Sequence, residues 1–365
     1  MTMTYRRAVI YITWVFFSTV HAIFAQESTE LGYFRRLIAA NPQDFEAHIR
    51  YQRVALKMDM QAQLLIEYRK WMNTYPDSGA FLYLYASVVK DKEVAASYLE
   101  RAIEKMPDLY FAHMDLAQLH YQAGEYNRAI ERYRKASKLK PTSARARYRL
   151  GLAYYHKGYV RQAIGEYKRS IELDSKYMDV YLNLGLTYYY VNDLDAAVET
   201  YQKALEFESG DRHLIYRNLG MAYARKGTLE QAEAAYRKAL EIKPDYLDVH
   251  ASLGNLAFRQ GDFEAAVGAY QRALEGQQED GMVSFMLGLS YYNREDYEES
   301  IRFLEKALEL DDSKTDIYYF LGQACFRAGK EDQARETLKA YVEKEKRLAK
   351  AGMVSEARAL LEEIR

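Results

Sequence analysis

The sequence predicts an all-α chain of stacked helical hairpins. Three observations carry this: the prolines share one register, small and aromatic residues recur at that register, and a turn divides each unit in two. The prolines are Pro42, Pro76, Pro107, Pro141 and Pro244, separated by 34, 31, 34 and 103 residues, the last being three times 34 plus one. Proline lacks an amide donor and clashes with the preceding turn, so each of these positions ends one helix or opens the next. They punctuate a unit of thirty-four residues.

The chain begins with a segment unlike the rest. Residues 1–25, MTMTYRRAVIYITWVFFSTVHAIFA, place Arg6 and Arg7 before an uncharged apolar run from Ala8 to Val20, with Ala22 and Ala25 behind it. That is the order of charged, apolar and cleavage regions in a secretory signal peptide. The run is short against the roughly 20 residues that span a bilayer. The expectation is an exported chain of the periplasm or cell envelope; the alternative is a membrane anchor formed by residues 8–25, since counting on to Ala25 lengthens the apolar stretch. No cysteine follows the segment to carry a lipid.

Next comes an N-terminal helix within 28–44, centred on Leu31 to Ala40, and then the repeat. In the unit that starts at Ala144, Leu150, Gly151 and Tyr154 are followed by Ala163 and Tyr167, with Ser170 where other units have Ala. The same places recur at Leu184, Gly185, Tyr188, Ala197, Tyr201 and Ala204, and again at Leu219, Gly220, Tyr223, Ala232, Tyr236 and Ala239. Spacings of three, four and seven put each set on one helix face. Between the sets lie turns such as His156-Lys157-Gly158, Arg225-Lys226-Gly227 and Arg259-Gln260-Gly261, where glycine can take the left-handed conformation that closes a helix.

A 34-residue helical hairpin with Leu-Gly, Tyr, Ala, Tyr, Ala and Pro in this order resembles the tetratricopeptide repeat family. The resemblance implies a right-handed superhelical α-solenoid of about nine hairpins, with a groove lined by the first helix of each pair. The array is placed at 45–348 and a C-terminal capping segment at 349–365, its helix read from Ser355 to Arg365. The two copies at 45–78 and 79–109 lack the Gly, an extra residue falls near Ser209-Gly210, and Cys325 stands where Tyr is usual.

Composition excludes several functions. Net charge is −1, which gives no general pull toward nucleic acid or membrane, and the single cysteine, Cys325, allows no intramolecular disulfide. Cys325 reads as a small buried hydrophobe. His113 and His250 share one early helix position and read as packing groups; the other histidines lack the spacing of a metal site. No Ser/His/Asp set, phosphate loop or carboxylate pair stands out from the repeat, so no enzyme and no cofactor are expected.

Function is expected in the residues that vary between copies. At the places that line the groove in the family stand Arg145, Tyr148, Arg149 and Leu152; Leu182, Asn183 and Leu186; Arg217, Asn218 and Met221; and Asn255 with Phe258. Apolar and aromatic surface beside amide and guanidinium donors suits an extended peptide, because an asparagine side chain both donates to and accepts from a peptide backbone. The expected partners are peptide segments of other proteins, bound by a non-enzymatic scaffold. Asn183, Asn218 and Asn255 read as the start of an asparagine ladder. Arg145 and Arg149 match one part of the carboxylate clamp of some family members, but Asp115 stands where that clamp needs Asn.

Charge adds a second reading. Tyr126 to Lys176 holds fourteen Lys and Arg against four Asp and Glu, and Tyr177 to Lys314 holds fourteen against twenty-five. A basic run is commonly a solvated face; as a functional surface, 126–176 would use Arg145, Arg147, Arg149 and neighbouring lysines on an acidic protein or anionic envelope polymer, with nucleic acid disfavoured in an exported chain. A third reading is self-assembly, the basic segment of one molecule meeting the acidic segment of another.

Overall fold

The computed structural model describes residues 29–207, 211–275, 279–345 and 350–364, and every regular element among them is an α-helix. The expected signal peptide and the extra residue near Ser209-Gly210 lie outside the described residues. The chain divides into two compact units, one ending at Val180 and the other beginning at Tyr181.

The first unit opens with α1 (29–40), whose Leu31 and Ile38 are buried in the same core as the helices that follow. Hairpins come next: α2 (Phe45–Lys57) with α3 (Gln61–Thr74), α4 (Gly79–Ala86) with α5 (Lys92–Lys105), α6 (Tyr110–Gln122) with α7 (Tyr126–Leu139), and α8 (Ala144–His156) with α9 (Val160–Leu173). Each helix from α2 to α8 packs on the next. Helix α10 (Met178–Tyr190) carries the division between the units.

The second unit continues with α11 (Leu194–Ala204), α12 (Arg212–Lys226) with α13 (Leu229–Ile242), and α14 (Leu247–Gln260) with α15 (Phe263–Ala273). Then follow α16 (Gly281–Asn293) with α17 (Tyr297–Leu310), α18 (Thr315–Arg327) with α19 (Glu331–Lys344), and α20 (Ala351–Glu363). Helix α20 begins before the expected Ser355 and closes the last apolar face: Ala357 and Ile364 are buried in the core of α17 to α19, and the Arg335 guanidinium donates to the Ile364 carbonyl at 2.6 Å.

The prolines do what their chemistry requires. Each stands three residues before the first residue of a helix: Pro42 before Phe45, Pro76 before Gly79, Pro107 before Tyr110, Pro141 before Ala144 and Pro244 before Leu247. The residue ahead of four of them is pushed out of the helical region: φ and ψ are −129° and 69° at Tyr75, −140° and 80° at Met106, −130° and 81° at Lys140, and −133° and 86° at Lys243. Caps then restart the chain; the Ser143 hydroxyl accepts from the Ala146 amide at 3.1 Å and the Asp44 carboxylate from the Ala47 amide at 3.0 Å.

Within every pair except α4 with α5 the turn passes through the left-handed region. Gly124, Gly158, Gly227, Gly261 and Gly329 hold φ between 74° and 87°, and Asp59, Asn192 and Glu295 do the same work without being glycine. A different glycine sets helix spacing. A Cβ built on Gly151, Gly220 or Gly254 would stand 2.6 Å from the ring of Tyr167, Tyr236 or Tyr270, and Gly185 faces Tyr201 in the same way. The recurring Gly and Tyr are one device: the ring lies on the bare backbone of the preceding helix.

Candidate functional site

In the first unit the groove positions of α8 split by burial. Arg145 is exposed, Arg149 and Leu152 are half-buried, and Tyr148 is buried between Tyr167 and Tyr177, with ring centroids at 6.1 and 5.1 Å. Burial pushes the Tyr148 phenol up, and the Arg149 guanidinium lies over its ring at 5.8 Å. Tyr148 therefore holds Arg149 in place rather than meeting a ligand with its own face. On α6, half-buried Asp115 accepts from the Tyr83 hydroxyl at 3.1 Å. Burial raises its carboxyl pKa, against the opposing effects of the Tyr83 hydrogen bond and of Arg145.

Much of the basic run is spent internally. Glu166, buried, takes Arg147 at 3.1 Å and Arg169 at 2.7 Å, while Arg134 donates to the Tyr154 hydroxyl at 2.8 Å and Lys135 pairs with Asp108 at 3.3 Å. Arg147, expected on an anion-binding face beside Arg145 and Arg149, faces Glu166 instead, because its place in the unit points into the hairpin.

In the second unit Leu182, Asn183 and Leu186 on α10 are half-buried. Asn218 is buried, and its side-chain carbonyl accepts from Arg217 at 3.1 and 3.0 Å. The Arg217 guanidinium also lies over Tyr246 at 5.7 Å and reaches Asp248 at 3.8 Å. Asn255 is exposed and accepts from the Tyr270 hydroxyl at 2.7 Å. The asparagines are thus unequal rungs: Asn218 and Asn255 have their side-chain carbonyl oxygens engaged within the fold, and Asn218 is buried. Phe258 is half-buried against Phe263, centroids 5.4 Å apart.

A cavity of about 300 Å³ in this unit brings Met221 and Asn255 together with Tyr189, Arg225 and Arg259. Tyr236 and Ser252 share its wall; burial pushes the Tyr236 phenol up to about 12, with the Ser252 hydroxyl pulling the other way. Farther on, groove positions hold a carboxylate. The Tyr319 hydroxyl donates to Glu356 of α20 at 2.6 Å, Gln323 donates to Glu356 at 3.3 Å and to the Tyr319 oxygen at 2.7 Å, and the Tyr292 hydroxyl donates to the Gln323 side-chain carbonyl at 3.2 Å.

Two features were missed in the sequence although both have signals there. The ring Nε2 of His48, His113 and His250 lies 3.1, 2.9 and 2.9 Å from the carbonyl oxygens of Pro42, Pro107 and Pro244. A proline six residues before a histidine marks this bond; the carbonyl can only accept, so Nε2 carries the hydrogen. The other feature is that Phe258, read from the sequence as a groove residue, is one of a series of aromatics at the twelfth place of the repeat: Tyr121 and Tyr155 in the first unit, then Tyr189, Phe258, Tyr292 and Phe326 in the second, spaced by thirty-four residues apart from the one extra residue after Tyr189, with Ala224 standing where one is missing. All six aromatics are half-buried.

Cys325 is buried, and burial pushes its thiol up to about 12, leaving a protonated sulfur at neutral pH. Among the described residues no group of three or more His, Cys, Asp or Glu is placed to hold a metal ion, and no helix is long and apolar enough to cross a membrane.

Thirty-four-residue hairpins, tyrosines lying on glycine and a ligand-sized recess on the first-helix face define a helical-repeat protein of the tetratricopeptide class. The chain belongs to the tetratricopeptide family described as the cilia and flagella-associated protein 70 C-terminal domain, whose model residues 140–360 match; residues 117–158 match a TPR repeat model. Solved structures share the fold. PilF of Pseudomonas aeruginosa aligns at 19% identity over 59% of this chain and 97% of its own, with a TM-score of 0.52. PilW, a type IV pilus biogenesis factor, aligns at 14% over 56% and 93%, and a tetratricopeptide repeat protein of Parabacteroides merdae at 14% over 70% and 98%, both with a TM-score of 0.50. No curated protein matches the chain.

Proposed function

We propose that the chain is an exported, non-enzymatic scaffold that binds extended peptide segments of other proteins on its first-helix face. The observation that carries this reading is Glu356: groove-position side chains Tyr319 and Gln323 receive a carboxylate from a segment that is not part of a hairpin. The same kinds of group recur around Met221, Asn255 and Phe258, where no such segment closes them among the described residues. The charged-then-apolar order of residues 1–25 supports export to the periplasm or envelope.

The test is selection of binders from a random dodecapeptide library on the purified full chain, followed by fluorescence anisotropy of the selected peptides. Phe258→Ala and Leu182→Ala, which remove half-buried surface without touching the Gly and Tyr frame, are expected to weaken binding at least tenfold. Full affinity in both variants, or a library that yields no binder, would remove the reading.

A second reading is favoured at one place only. Exposed Arg145 lies in the basic segment and makes no ion pair with a described residue, which suits an anionic partner. Retention on immobilised polyphosphate that falls steeply with salt and is lost in Arg145→Glu would support it; retention indifferent to salt would exclude it.

A further inference from the structure

The aromatic at the twelfth place of the first helix is present in every copy from α6 to α18 except one, and the exception coincides with the cavity beside Tyr189. In α12, which starts one residue early in the register, Ala224 occupies that place, four residues after Gly220 as Phe258 is four after Gly254; it lines the recess, with Met221 and Leu256 supplying apolar wall. At about 300 Å³ it stands at the small end of ligand pockets, which suits one large side chain rather than a larger molecule. The space is where the chain's own ring would stand.

Two arginines hold fixed positions at this recess by the same device. Arg225 donates through one Nη to the backbone carbonyl of Tyr189 at 2.9 Å and lies over that ring at 4.8 Å; Arg259 donates to the carbonyl of Ala224 at 3.1 Å. Each follows the twelfth place of its own helix and reaches the twelfth place of the helix one copy back. One nitrogen of each fork is committed to this bond, and the fork has further donors to offer. Neither forms an ion pair with a described carboxylate, although the surrounding sequence, Tyr177 to Lys314, has an acidic excess. A guanidinium pinned by a carbonyl loses little freedom when it takes a carboxylate, so recognition there is pre-organised.

We infer that the Ala224 recess is an anchor pocket for an aromatic side chain of a bound peptide, with an acidic residue next to that aromatic held by Arg225 and Arg259. The inference rests on the peptide-binding reading and names its specificity. Met221, Ala224 and Leu256 give the recess an apolar wall that suits a ring, and the two fixed cations beside it suit a ring with an acidic neighbour. The amide group of Asn255, whose carbonyl is already engaged by Tyr270, gives the recess a polar point that a tyrosine hydroxyl can meet.

The test uses the dodecapeptides selected on the full chain. Selected sequences are expected to be enriched in Phe or Tyr adjacent to Asp or Glu. Ala224→Tyr, which restores the ring found in the other copies and is therefore expected to keep the wild-type melting temperature, should weaken these peptides at least tenfold; Ala224→Ser, which leaves the recess open, should not. Arg225→Gln combined with Arg259→Gln should abolish the preference for an acidic neighbour while leaving the aromatic preference. Peptides that lose affinity in Phe258→Ala yet bind Ala224→Tyr normally would overturn the anchor pocket and leave peptide binding intact. N-acetylphenylalanine displacing the peptides with equal affinity would overturn the peptide as occupant in favour of a small aromatic acid. Failure to select any binder would end both proposals.

Discussion

The glycines illustrate how one residue type plays opposite parts. Gly220 sits in the middle of α12, where glycine costs about 0.5 to 1 kcal/mol relative to alanine through backbone entropy. It is there because any Cβ would meet the Tyr236 ring at 2.6 Å. Gly268, in α15, has nothing within 4 Å of where its Cβ would be. Gly220→Ala is therefore expected to destabilise by about 1 to 3 kcal/mol through overpacking, and Gly268→Ala to stabilise by about 0.4 to 1 kcal/mol. Urea melts of the two variants check this; the same sign in both would contradict the account of the Gly–Tyr contact. The histidines make a second prediction at this scale. Burial lowers the pKa of His48 and His113, against the proline carbonyl bond that favours the charged form. A histidine depressed in the folded state favours folding above its unfolded pKa of about 6.5, and that contribution is lost as pH falls. Stability of the wild type should drop between pH 7.5 and pH 5, and His48→Gln with His113→Gln should flatten that slope.

Helix hairpins are the element on which the sequence was most readable. Proline placement, the Leu-Gly pair and the turn glycines each have one physical meaning, and they agree. Where the signal weakened, another residue had taken over the role. Asn192 and Glu295 hold φ of 64° and 68° at turns where neighbouring copies use glycine, so a search for glycine alone passes over them. Glu295 also shows a cost. A left-handed backbone is unfavourable by about 1 to 2 kcal/mol for a residue with a Cβ, while glycine gives part of this back as lost entropy. Glu295→Gly should stabilise by about 0.5 to 1 kcal/mol, read as a rise in the urea midpoint at unchanged slope; a loss of stability would show that the Glu295 side chain supports the turn.

For the whole molecule, fold and function were legible to different depths. Composition, repeat length and helix order were enough for an all-α hairpin array because every copy restates the same packing problem. The site was less legible because burial is not written in position alone. Arg147, Tyr148 and Asn218 occupy variable places in their copies, yet the first is paired with buried Glu166 and the other two are themselves buried. The twelfth-place aromatics and the gap at Ala224 were legible in principle, since a period of thirty-four exposes them, but only the cavity gives the gap a meaning.

The central claim is that partners are held by the first helix of each hairpin, and hydrogen–deuterium exchange with a saturating selected peptide tests it most directly. Slowed exchange in α12, α14 and their neighbouring first helices, with α13 and α15 unchanged, is the predicted result. Protection confined to the second helices would contradict the account.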